Sequence, residues 1–360
     1  MRVIAFTKYD RSAASTRQRV LQYRAALASA KIELVYRPLL DDTYVRRLVT
    51  GEPASRTAIL RSYASRLFEV LRQPDCDLIW VYAELFPYLP RSFESLVHRA
   101  RVPVVYDWDD AFFHAYNESR NPFVRSLLRN KLERAISRAA AVTCGNQYLR
   151  DHAARFCAKS IILPTVVDTS VYRPLHRAAG DPLRLGWIGS PSTWKNVRPI
   201  LPLLRELCEQ GRARVRAVGA GFEGEKDHFP GLDLIEWSQE TEIFEVQNFD
   251  IGIMPLIDEP FERGKSGFKL VQYMACGVPA VGSPVGVNAT ILGGSAGFLA
   301  SSLGEWRDSL ARLLQDSELR RQMGESGRKR AVEHYSLEAH APRLVDLFRT
   351  VNATWRSGAP

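Results

Sequence analysis

Cysteine is scarce in this chain: five residues in 360, at Cys76, Cys144, Cys157, Cys208 and Cys276. They form no CxxC pair and no paired spacing, which excludes a thiolate zinc module and a disulfide scaffold and favours a reducing cytoplasm. The seven histidines show neither HxxxH nor His-x-His spacing. P-loop and Gly-x-Ser-x-Gly signatures are missing. No apolar run approaches the length of a membrane span. The opening MRVIAFTKYD has too short an apolar run for a signal peptide, with no small-residue cleavage site after it, and reads as a first strand. There is no internal repeat and no low-complexity tract.

What is present is ordinary globular composition, 46% hydrophobic and 25% charged, over a length that suits two domains. The net charge of +9 is uneven: Arg11 to Arg72 holds 12 Lys/Arg against five Asp/Glu. A basic face of this kind meets nucleic acid, an anionic membrane or a phosphorylated acceptor. No nucleic-acid module accompanies it, so no nucleic-acid partner is expected, and an anionic membrane surface or diphospholipid is the preferred one. The localisation expected is cytoplasmic, peripheral on the inner membrane face.

Short apolar runs alternate with helical periodicity, the pattern of a doubly wound parallel sheet. In the first half, strands are expected at Arg2–Thr7, Ile32–Tyr36, Asp77–Tyr82, Val102–Tyr106, Ala140–Cys144 and Ser160–Leu163. A helix is expected over Arg17–Ala30, capped by Ser15 or Thr16, and a long basic helical stretch over Asp41–Gln73. Small residues in Lys8–Thr16 let a ligand approach the backbone at a strand end. The fourth strand ends in Asp107-Trp108-Asp109-Asp110, where carboxylates two apart can share a hard cation or cap a helix. Pro122–Ala140 reads as one amphipathic helix. Its apolar face carries Phe123, Leu127, Leu128, Leu132 and Ile136, and its basic face suits either anionic lipid or solvent.

Periodicity stops from Tyr172 to Pro182, so a connector is expected there. It then restarts with Leu183–Ile188, Arg214–Val218, Leu232–Trp237 and Phe249–Met254 as strands. The loop Gly189–Thr193 (GSPST) can wrap phosphate oxygens with backbone N–H groups, and Lys195 adds charge. Beyond Phe249–Met254, Ser266 is a candidate cap for a helix over Gly267–Cys276, stopped by Gly277 and Pro279. A helix N-terminus binds phosphate readily. Here Lys265 precedes it, Lys269 sits in its first turn, and Gln272 shares a face with Lys269. Such a tip suits a diphosphate with a ribose beside Gln272; a solvated surface helix fits the same spacing.

Phe261–Asn288 resembles the donor-binding element of retaining GT-B glycosyltransferases, family 4 in particular. Lys269, Tyr273, Met274, Ala275, Gly277, Pro279 and Val281 match the family's K-x-x-E-Y-M-A-x-G-x-P-V-V pattern. Gln272 replaces the ribose-binding glutamate. Gly264 replaces the first glutamate of the family's E-x7-E pair, a role that falls to Glu262 or Lys265. The G-R-x-x-x-x-K loop is matched at Gly189 and Lys195, with Ser190 in place of the arginine. The segments Pro164–Asp168 and His334–Ser336 resemble the family's hinge and terminal turn.

The resemblance implies a GT-B fold, α/β, with two Rossmann-like domains facing a cleft and a C-terminal helix crossing back. It implies an acceptor domain over 1–170, a linker over 171–182, a nucleotide-sugar domain over 183–336, and a crossover helix and tail over 337–360. It implies sugar transfer from a UDP- or GDP-sugar to a hydroxyl of a glycan or lipid-linked glycan, with retention, no cofactor and no metal. Lys195 and Lys265 would stabilise the leaving group. Lys269 and the Ser266, Gly267 and Phe268 backbone would hold the diphosphate, Gln272 the ribose, and Trp237 the base unless it is a core residue. Asp109 or Asp110 would touch the donor sugar, with His114 nearby. Two alternatives stay open: an Asp-x-Asp metal site of the GT-A kind, and an inactive GT-B subunit that partners another enzyme.

Overall fold

The computed structural model describes residues 1–72, 75–175 and 179–358. The end of the expected stretch over Asp41–Gln73, the middle of the expected connector and the last two residues of the tail lie outside the described residues. Among the described residues, twelve strands form two parallel sheets of six. The first holds β1 (Arg2–Tyr9), β2 (Glu33–Leu40), β3 (Leu78–Tyr82), β4 (Val104–Trp108), β5 (Ala141–Cys144) and β6 (Ser160–Ile162), in the order β2-β1-β3-β4-β5-β6. The second holds β7 (Leu183–Ile188), β8 (Ala213–Val218), β9 (Leu232–Ile235), β10 (Ile251–Met254), β11 (Ala280–Gly282) and β12 (Gly297–Leu299), in the order β12-β11-β10-β7-β8-β9. Helices cover both faces, so central strands such as LIWVY and VVYDW are buried throughout.

Each sheet reverses its winding once, between β1 and β3 in the first and between β7 and β10 in the second. Such switch points are where open α/β sheets bind ligands, outside the carboxyl ends of the strands. The helix Leu337–Arg356 belongs to the first sheet: its Leu344 and Phe348 share a core with Val3, Ala5 and Trp80. Beside the hinge, Val167 and Ser336 form a parallel bridge where the chain passes between the halves.

Three expectations for helices are corrected. The first helix starts early, at Ala14, and is broken by a 3-10 turn at Leu21–Tyr23 before Arg24–Ser29. Neither Ser15 nor Thr16 caps it; Thr16 Oγ1 instead donates to the Tyr9 carbonyl at 2.7 Å. The stretch after β2 divides into Asp42–Thr50 and Arg56–Leu71, because Gly51 takes a left-handed φ of 76°. The amphipathic helix is two pieces, Pro122–Leu128 and Lys131–Ile136, separated by Asn130 at φ 56°. Leu128, Leu132 and Ile136 are buried as expected, but the break turns three other side chains the opposite way. Phe123 and Leu127 stand 83% and 65% exposed, whereas Lys131 is buried against Glu84 and Glu94.

Candidate active site

The loops leaving β7 and β10 form the cleft face of the second half. After β7, Gly189 admits no side chain, because a Cβ there would lie 2.5 Å from the Trp187 ring. The turn Pro191–Asn196 follows, held by the Ser190 N–H donating to Thr193 Oγ1 at 3.2 Å. After β10 the chain passes through Pro260–Arg263 into the helix Phe268–Ala275. Ser266 is not its cap: Gly267, at φ 68°, holds that position and no side chain bonds there. A Cβ on Gly267 would lie 2.2 Å from Ile291 Cδ1, so only glycine fits. Among the described residues the Phe268 and Lys269 N–H groups have no acceptor, at the positive end of the helix dipole, while the Leu270 N–H already donates to the Gly267 carbonyl.

Lys195, Lys265 and Glu262 meet at this tip. Lys195 Nζ lies 3.1 Å from Glu262 Oε1 and 3.3 Å from Glu259 Oε2. Burial opposes the Lys195 charge, but these carboxylates outweigh it and raise its pKa. Lys265 Nζ lies 3.7 Å from Glu262 Oε2 and 3.9 Å from Asp110 Oδ2, across the cleft. Glu262 is buried, and its Oε2 has no hydrogen-bond donor among the described residues. Lys269 differs from both. Among the described residues it makes no ion pair and no hydrogen bond, and its Nζ sits 5.5 Å above the Trp187 ring. Burial, then repulsion from Lys265, lowers its pKa to about 8.

Two of the three departures from the pattern that the chain resembles, Gly264 and Gln272, have physical reasons. A Cβ on Gly264 would lie 2.4 Å from Ala111 Cβ, on the first half, so a glutamate cannot stand there. The Gly264 and Lys265 carbonyls instead accept from Asn146 Nδ2 at 2.9 and 3.0 Å. Gln272 is buried and donates through Nε2 to Glu242 Oε1 at 2.8 Å and to Tyr172 Oη at 3.2 Å. Glu242 Oε2 in turn accepts from Trp237 Nε1 and from Arg17, both at 2.9 Å. The Arg17 guanidinium lies 4.6 Å above the Trp237 ring. Trp237 is therefore half-buried, with one face covered from the first half. Sequence reasoning missed Glu242, Tyr172 and Arg17, since nothing local marks a carboxylate that draws partners from three separate segments.

On the first half, Asp107 is fully buried and accepts from Arg19 and Thr143, so it does not face the cleft beside Asp109. The aspartates do not cap the next helix, Phe112–Asn117, whose N-cap is Ala111. Asp109 accepts from Tyr82 Oη at 2.6 Å. Burial, then repulsion from Asp110, pushes its pKa up to about 7. His114 is engaged elsewhere, 2.7 Å from Tyr148 Oη and 2.6 Å from Glu118.

Two parallel six-stranded sheets facing a cleft, with a last helix returning to the first, define the GT-B fold, and solved structures share it. The chain superposes on sucrose-phosphate synthase of Thermosynechococcus elongatus with a TM-score of 0.73 at 15% identity, covering 98% of this chain and 100% of that one. It superposes on Anabaena HepE in complex with UDP-glucose with a TM-score of 0.70 at 14% identity, covering 97% and 99%. Residues 182–316 match the family model described as Glycosyl transferases group 1. A segment of 94 residues is 34% identical to N-acetyl-alpha-D-glucosaminyl L-malate synthase of Bacillus anthracis; it covers 25% of this chain and 23% of that protein's length.

Proposed function

We propose that the chain is a glycosyltransferase that takes a nucleotide diphosphate sugar on its second half and transfers the sugar to a hydroxyl acceptor held by its first. The observation that carries this is Lys269, a partly buried lysine with no anionic contact among the described residues, beside Lys265 and a helix tip with no side-chain cap. Such a group lacks a counter-charge that a diphosphate supplies. The match over 182–316 covers this tip, and HepE, of the same fold, is known in complex with UDP-glucose.

In this reading the bond from the anomeric carbon to the β-phosphate oxygen breaks, and negative charge grows on the leaving diphosphate. Lys195, Lys265 and Lys269 meet that charge in a preorganised arrangement. The acceptor oxygen bonds to the anomeric carbon on the face the phosphate leaves, giving retention, and its proton passes to a phosphate oxygen. No metal has an assigned role, because the lysines supply the positive charge. Gln272, fixed by Glu242, offers the ribose its amide oxygen. Phe123 and Leu127, exposed beside Arg125 and Arg129, are the face that would rest on anionic lipid.

Thermal unfolding with UDP, GDP, ADP and CDP tests the donor half. A ligand that binds only the folded state raises the midpoint, so UDP or GDP is expected to raise it in wild type and not in Lys269→Met. If no nucleoside diphosphate shifts the midpoint, the reading fails.

A further inference from the structure

The loop that follows β3, residues 83–90, is held by an unusual amount of buried polar structure. Ala83 and Tyr88, neither of them glycine, take left-handed φ values of 62° and 59°. Such conformations persist only where their surroundings impose them. Trp108 Nε1 donates to the Ala83 carbonyl at 3.1 Å and Arg66 Nη1 to the Leu85 carbonyl at 3.2 Å. The Glu94 carboxylate accepts the N–H groups of Leu85 and Phe86 at 2.9 and 2.8 Å. Lys131, fully buried, donates to the Phe86 carbonyl and to Glu84. Tyr63 Oη donates to the Pro87 carbonyl at 2.9 Å, and Tyr116 Oη accepts the Tyr88 N–H at 3.0 Å. Burying that many charges is a poor way to gain stability. What it does here is fix one short loop.

At the end of this loop Tyr88 is 62% exposed, its ring held edge-on to Tyr116 at 5.7 Å. The loop leaves β3, and the neighbouring strand β1 ends at Tyr9, whose ring stacks on Tyr44 at 6.1 Å. Tyr9 and Tyr88 thus leave the two strands that flank the switch point of the first sheet. The helices that carry Tyr44 and Tyr116 both reach the second half. Asp42–Thr50 packs on Gly221–Lys226, and Phe112–Asn117 packs on Pro260–Arg263, just before the lysine tip. The aromatic group therefore lies on the cleft, between its two lateral contacts.

We propose that Tyr88, with Tyr9 and Tyr44, is the platform that receives a pyranose ring of the acceptor. This rests on the glycosyltransferase reading and adds the acceptor's class: a sugar, not a bare lipid phosphate. Tyrosine offers an apolar face to the axial C–H bonds of a pyranose and a hydroxyl to its rim, at small cost in side-chain freedom. An acyl chain would call for aliphatic walls, and these three rings, Tyr88 exposed and Tyr9 and Tyr44 partly buried, carry hydroxyls.

The test is saturation-transfer NMR from the full chain to methyl α-glycosides of glucose, galactose, mannose and N-acetylglucosamine, with UDP present. The expected result is transfer to the ring protons of at least one glycoside. That signal falls at least fivefold in Tyr88→Leu and in Tyr44→Leu and stays within twofold of wild type in Tyr88→Phe, while the midpoint shift by UDP is unchanged in all three. Absence of transfer in wild type, or equal transfer in Tyr88→Leu, overturns the platform. Loss of the UDP shift together with the glycoside signal in Tyr88→Leu makes the loop merely structural and also overturns it. So does loss of binding to phosphatidylglycerol vesicles without any effect on glycosides. Failure of every nucleotide to shift the wild type is read separately and falls on the donor half.

Discussion

In the first half Arg19 and Asp107 lie 1% and 0% exposed and ion-paired to each other, and Lys131 is closed in by Glu84 and Glu94. In the second half Lys269 is desolvated beside another lysine and touches no carboxylate among the described residues. The sheets that carry these groups have the same size and sense. Yet the first half pairs Arg19 and Lys131 with its own anions and Arg66 with backbone carbonyls, whereas Lys269 has no such partner among the described residues. On the proposed reading, buried charge in the first half is architecture, and in the second it serves the donor diphosphate. Removing a charge should therefore damage folding on one side and binding on the other.

The largest effect is expected from Asp107→Ala. Removing one partner of a fully buried ion pair costs about 3–5 kcal/mol, to be read from urea unfolding of the purified chain. A loss below about 1 kcal/mol would remove the structural side of the comparison. Lys265→Ala is its counterpart on the other side. It should lower turnover ~10²-fold, the scale for losing one preorganised electrostatic contact to developing charge, and leave unfolding nearly unchanged. Turnover within about threefold of wild type would take Lys265 out of the mechanism.

A third change addresses the ribose side. Gln272→Glu introduces the residue of the glycosyltransferase pattern that this segment resembles and, in this structure, sets two buried carboxylates against each other, because Gln272 Nε2 donates to Glu242 Oε1 at 2.8 Å. We expect a loss of about 1–3 kcal/mol, the cost of leaving buried polar groups unmatched. The loss should shrink in acid, where one of the two carboxylates keeps a proton. A variant as stable as wild type with tighter donor binding would show that Glu242 does not define the state of this site.

That case also marks the limit of what the sequence makes legible. The strands were readable because parallel strands buried on both faces are simply apolar runs, and the donor helix because Gly277 and Pro279 end it. Lys269 and Gln272 on one face follow from helical phase. Glu242 and Arg17 do not: they are 225 positions apart and meet only because the two halves close. Gly264 looks like a lost glutamate until Ala111 is seen against it. The split at Asn130 was hidden for a similar reason. Lys131 has the spacing of an exposed face, and the carboxylates that draw it inward, Glu84 and Glu94, belong to a distant loop and its helix.

The smallest effect is a slope with pH, and it isolates Lys269. Its pKa in the folded protein is lowered to about 8 from 10.5, by burial first and Lys265 second. Below pH 8 both folded and unfolded chains hold the proton, and the folded state bears the full penalty of a desolvated charge. Between pH 8 and about 10.5 the unfolded chain keeps a proton that the folded one has released. Stability of the empty protein therefore gains a rising contribution across that window. Lys269→Met should remove this contribution, so the difference in midpoint between variant and wild type should narrow as pH rises from 7.5 to 9.5. A bound diphosphate favours the charged lysine, so donor affinity in wild type should fall over the same interval and stay low and flat in the variant. If instead the two proteins show parallel pH profiles with and without UDP, Lys269 is an ordinary solvated lysine. The contrast between a half that pairs its charges and a half that holds one for a ligand would then disappear.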